Sequence, residues 1–301
     1  MALLSPVQEK KLQLIYIPFL KVFLSFIILY TCLHWYFIIH LEMFLVSEDT
    51  VNMWIPAILS LSIVLIFLRP KARLLALKDR LPDAIIILML LTILVPTIFM
   101  QFYIVTTTGK LTVLNDISEK SSIKSSKYYV IKNHFISKKY TSFKSIINIS
   151  GKYNRDYYMY LYCALPILKN EADTNQSTCE NWYCIKYYER ISNKLSSEIK
   201  KQKFDRFMER SFAKFDSLNV NKFVYLNRIG QVFDKNGCSQ AIENNERFMA
   251  LHPTILLPIN EPFELRNGNK LFWFLGTLIL LNLLLILFIT KHDLKENIAL
   301  E

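Results

Sequence analysis

Glycine is scarce in this chain, with six in 301 residues. None builds a P-loop, a G-x-G-x-x-G dinucleotide fingerprint or a G-x-S-x-G nucleophile elbow. The backbone cradles that hold phosphates or expose a reactive serine are therefore missing. H-E-x-x-H is also absent, and Cys179 and Cys184 stand five apart with no second close pair, which does not match a structural zinc site. His134 and His252 have no nucleophile motif beside them. The sequence thus gives no reason to expect a metal, a cofactor or an enzymatic activity. The most informative gap is one of charge: residues 22 to 68 contain no Lys or Arg.

What fills the chain instead is apolar. Hydrophobic residues make up 52% of it, above the usual roughly 45–50%, and the excess lies in four blocks. Residues 22–41, 52–68, 84–105 and 271–290 carry no ionised side chain. About 20 apolar residues cross a bilayer as a helix, so four transmembrane helices are expected. The first block is too long, and too poor in small residues at its end, for a cleaved signal peptide.

Orientation follows from basic residues near the span ends. Lys10, Lys11 and Lys21 precede the first block, and the next loop holds Glu42, Glu48 and Asp49. The third segment, "RPKARLLALKDRLPD", supplies Arg69, Lys71, Arg73, Lys78 and Arg80. Basic, acidic, basic reads as inside, outside, inside. Trp35, Tyr36, Trp54, Tyr103 and Trp273 then fall toward the outer interface. Arg266 and Lys270 before the last block, and Lys291 and Lys295 after it, cast no clear vote. The five basic residues are read as a topology signal, which is compatible with contact to anionic lipid head groups. The expected domains are a cytoplasmic segment 1–21, three helices within 22–105, an extracytoplasmic domain 106–270, a fourth helix 271–290 and a cytoplasmic tail 291–301.

Residues 106–270 are long enough to bury a core. "KLTVL", "KYYVIKNHFI", "YTSFKSIINIS", "DYYMYLYCALPIL" and "WYCIKYYERI" are rich in strand formers, with polar turns between them. From Ser197 to Phe215 the period changes to that of an amphipathic helix, with Ser196 placed as its N-cap. "KFVYLNRI", "SQAIENNERFMA" and "TILLPI" follow as strand, short helix and strand. Strands first and helices later predict an α+β domain with a largely antiparallel sheet and one long amphipathic helix.

Cys32 lies in the first block, while Cys163, Cys179, Cys184 and Cys238 fall in the domain. An even number outside the cytoplasm suggests two disulfides. If the strands around Cys163 and Cys184 form a hairpin, these two come opposite, leaving Cys179 for Cys238; three pairings are open. The domain also carries most of the net charge of +11. Residues 110–152 hold nine Lys against two acids, either a solvated face or a docking surface for anionic polymer or lipid. Among ionisable groups in the blocks only His34 is internal, with His40 and Glu42 at the outer end, and no ion path is recognisable.

The stretches "SKYYVIKNHFISKK", "INISGKYNRDYYMYLYCALPIL", "NWYCIKYYERISNKLS" and "FVYLNRIG" resemble a soluble module attached to some bacterial membrane proteins of the rhomboid intramembrane-protease type. Rhomboids carry their serine in a membrane Gly-x-Ser motif, which the spans here lack. The resemblance therefore implies a shared accessory module and transfers no catalytic residue. The combined expectation is an integral protein of the bacterial inner (cytoplasmic) membrane with both termini cytoplasmic. It would present an interaction or sensing domain to another membrane or envelope protein, or to an anionic envelope polymer. The alternatives are an accessory or degenerate member of a protease-related system and a small transporter subunit. Placement outside the cytoplasm argues against nucleic acid.

Overall fold

The computed structural model describes residues 5–41, 48–78, 80–123, 125–230 and 233–295. Glu42 and the end of the tail, residues 296–301, lie outside them. The chain divides into two compact units, residues 1–108 with 264–301 and residues 109–263.

The first unit holds four helices long and apolar enough to cross a membrane: α1 (Pro6–His40), α2 (Thr50–Ala72), α3 (Leu81–Thr107) and a last one, α6 (Lys270–Lys291). Ser5 caps α1 through a reciprocal bond pair with Gln8. Helix α1 starts well before the expected span at residue 22. One lysine, Lys21, interrupts the apolar run without interrupting the helix, because Lys is a good helix former.

Side-chain and backbone bonds match the levels of the four helices. The Lys11 ammonium donates to the Thr290 carbonyl at 3.3 Å and pairs with Asp293 at 3.4 Å. Ala76 donates to the Asp293 carbonyl and Lys295 to that of Leu74. The start of α1, the loop after α2 and the residues after α6 therefore meet at one end. There Arg69, Lys71, Arg73, Lys78 and Arg80 are all exposed.

At the other end the Tyr30 hydroxyl donates to the Val51 carbonyl at 2.5 Å. The Arg266 guanidinium caps the end of α3, donating to the carbonyls of Thr106 and Thr107 at 3.1 and 3.2 Å. A cation at a helix C-terminus satisfies carbonyls that have no partner within the helix. The Arg266 charge is thus engaged in a cap. The chain leaves this unit after Thr108 and returns at Glu264, at the end opposite the basic loop.

The second unit is one seven-stranded sheet with two helices. Its strands are β1 (Leu111–Asp116), β2 (Tyr128–Asn133), β3 (Ser142–Ser150), β4 (Asp156–Pro166), β5 (Asn181–Ser192), β6 (Tyr225–Arg228) and β7 (Thr254–Ile259). The order is β1-β2-β6-β7-β5-β4-β3. Pairing is antiparallel except at β1–β2 and β5–β7. Each predicted strand falls within or beside an observed one, and the sheet is mostly antiparallel as expected.

Helix α4 (Ser197–Ser217) is N-capped by Ser196, whose hydroxyl accepts from the Ile199 amide. Phe207 and Phe215 of α4 are buried on one sheet face, over Met159, Leu161 and Cys163. Helix α5 (Phe233–Glu243) covers part of the opposite face. It begins before the predicted "SQAIENNERFMA" segment, because Gly237 and Cys238 belong to its buried side. Gly237 allows the helix to lie directly on Tyr162, whose ring a Cβ would strike.

The structure corrects the expected disulfides. Cys184 is joined to Cys238, and Cys163 and Cys179 are free and buried. In the β4–β5 register Cys163 faces Ile185, and Cys184 faces Ala164. A one-residue offset puts two side chains on opposite faces of a sheet. Cys163 therefore points into the α4 core, while Cys184 points under α5, where Cys238 waits.

Candidate functional site

Helix α5 covers only one end of its sheet face. Beyond it, every second residue of β4 and β5 points outward: Tyr158 and Tyr160 on β4, with Tyr188 and Arg190 opposite them. The rings form a ladder, Tyr158 to Tyr160 and Tyr160 to Tyr162 both at 6.1 Å between centroids, with Tyr188 stacked on Tyr160 at 6.5 Å. Phe233, the first residue of α5, closes the row at 5.4 Å from Tyr160. Tyr188 is 65% exposed and Phe233 43%.

Polar groups frame these rings. Asp234 accepts from the Tyr162 hydroxyl at 2.9 Å and pairs with Lys186, while Arg190 pairs with Asp156 at 3.1 Å. Burial, followed by the nearby charges, holds the Tyr160 and Tyr162 phenols above their ordinary pKa. The hydroxyls accordingly remain donors at neutral pH. Lys186 and Arg190 are matched by carboxylates of the domain itself, and Lys144 of β3, opposite Tyr162, lies on the same side. The surface offers aromatic area with two paired cations.

Three lysines of the basic segment 110–152 are engaged within the fold. Lys120 donates to Thr254 at 2.8 Å, Lys132 reaches Asn115, and Lys138 donates to the Asp216 carbonyl beside the Phe215 ring. These lysines brace separate parts of the fold. Desolvation, aided by the adjacent Arg228, lowers the pKa of Lys120. The free thiols are also structural: burial pushes Cys163 up to about 12 and Cys179 up to about 11. Thiols held so far from ionisation lack the thiolate needed for nucleophilic or redox chemistry.

A second polar group lies inside the helical unit. His34 Nδ1 sits 2.6 Å from Gln101 Oε1, and Gln101 Nε2 donates to Thr31 Oγ1 at 3.0 Å. All three are buried. His40, at the outer end of the first block, stacks on Trp35. Thr92 and Thr97 return their hydroxyls to carbonyls of their own helix, and Tyr16 bonds Asn282 across α1 and α6 at 3.1 Å. The His34–Gln101, Gln101–Thr31 and Tyr16–Asn282 bonds join helix to helix, as polar residues commonly do within membranes. Among the described residues no group of three or more His, Cys, Asp or Glu is placed to hold a metal.

Alternation along β4 and β5 is visible in the sequence, but which face remains open depends on where α5 lands. Compared with family models, curated proteins and solved structures, the chain finds no match. The rhomboid-module resemblance of residues 126–230 accordingly rests on those stretches alone.

Proposed function

We propose that this chain is a multispan membrane protein that presents the domain of residues 109–263 outside the cytoplasm and binds a partner protein of the envelope through its open tyrosine face. The observation that carries this reading is the ladder beside α5 in which half-buried Tyr158 and Tyr160 adjoin the exposed Tyr188. Tyrosine and arginine in a partly apolar patch are the residues that dominate protein–protein contacts. Pairing of Lys186 with Asp234 and of Arg190 with Asp156 reduces the positive field of this face, which favours a protein over an anionic polymer.

Two further observations support placement outside the cytoplasm. Basic residues cluster at the end of the helical unit opposite the domain's attachment, as expected for a cytoplasmic face. The Cys184–Cys238 bridge suits an oxidising compartment. An inner-membrane location with cytoplasmic termini belongs to the same proposal.

A photo-crosslinking residue at position 188 tests this in intact membranes. It is expected to form a discrete protein adduct that Tyr160→Ala reduces at least tenfold, while the same probe at Lys203 on α4 forms none. Equal adducts from both positions, or an adduct indifferent to Tyr160, would defeat the reading.

A further inference from the structure

Helix α1 carries a lysine at a level where lipid is expected. Lys11 binds the end of α6, and Tyr30 binds the start of α2, so these two residues fix two levels of the helical unit along α1. The interval spans about 28 Å of helix at 1.5 Å per residue, close to the ~30 Å hydrocarbon core. Lys21 falls midway, about 15 Å from Lys11. Its side chain is exposed and, among the described residues, has no hydrogen-bond or ion-pair partner.

The surface around it is otherwise that of a lipid-facing helix. Ile17, Leu24 and Ile28 are exposed one turn or two away, and Ser25 lies directly above Lys21 on the same stripe. Ionisable residues in membrane helices pair with a counter-charge or face water. A lysine can lean toward the helix N-terminus, the direction of its Cβ, and lift its ammonium part of the way to the basic end. Starting from midway, it gains only part of that distance.

We infer that Lys21 and Ser25 form a docking stripe for a membrane helix of another protein, one that brings an Asp or Glu to the same depth. A second copy of this chain cannot serve, because none of its four apolar blocks contains an acidic residue. This inference rests on the membrane-spanning part of the proposed function and not on which side the domain faces.

A lipid-soluble carbodiimide applied to intact membranes tests it. The reagent joins the Lys21 amine to a carboxyl group as an amide, and the water removed converts the carbodiimide to its urea. The expected product links Lys21 to Asp or Glu within an apolar segment of about 20 residues in a different chain. Lys21→Arg should preserve that complex on purification, and Lys21→Leu should reduce its yield at least tenfold. The full chain with Lys21→Leu, purified alone, should melt no lower than wild type, since an uncompensated charge has left an apolar surface. Three results would overturn the inference: no Lys21 amide, an amide to a second copy or to a water-soluble segment, or a Lys21→Leu protein that keeps the complex or melts lower. If a water-soluble acylating reagent modifies Lys21 as readily as Lys10, the membrane placement itself fails.

Discussion

Replacing Cys184 and Cys238 together by serine should lower the midpoint of the domain's thermal transition by about 10 °C in the full-length protein. The bridge closes a loop of 54 residues. Chain-entropy estimates run from about 3 kcal/mol for short loops to about 4.7 for 100 residues, so about 4 kcal/mol is expected here. For 150–250 residues, each kcal/mol shifts a melting midpoint by roughly 2–4 °C. The loss is large because the bridge fastens α5 to β5, and α5 in turn seats Tyr162 and Phe233 at the edge of the tyrosine ladder. Non-reducing peptide mapping should find Cys184 linked to Cys238, with Cys163 and Cys179 as thiols. A double variant that melts within 2 °C of wild type would show that the clamp contributes little.

Reversing the five charges Arg69, Lys71, Arg73, Lys78 and Arg80 to glutamate should invert or scramble the first three helices. Positive charge in short loops beside spans sets orientation, and all five side chains are exposed, apart from the contacts that hold the bundle. The fold itself should therefore tolerate the change, while a topology reporter fused after Thr108 should move from the outer to the inner compartment in most molecules. A reporter that stays in place would remove these residues as the determinant of orientation.

The strands were legible because β-branched and aromatic residues concentrate between polar turns, and α4 because Phe204, Phe207, Phe212 and Phe215 repeat at helical spacing behind a serine cap. The disulfide was not. It depends on a one-residue register that no local pattern reveals, and on α5 crossing the sheet to bring Cys238 over Cys184. The same placement decides which part of the tyrosine ladder remains open. Lys21 was set outside the first span for a different reason. Counting charge-free residues puts a span boundary at a lysine, whereas the helix continues through Lys21 to the bonds made by Lys11. The roles of Arg266 and of the buried Gln101 likewise emerge only from contacts between distant segments.

The central claim is that the sheet domain is displayed outside the cytoplasm, and it is tested most directly by labelling Leu251→Cys, a position 81% exposed on that domain. A membrane-impermeant maleimide should modify this cysteine in sealed, right-side-out cells as fully as in opened ones. Modification that appears only after the cells are opened would contradict the account.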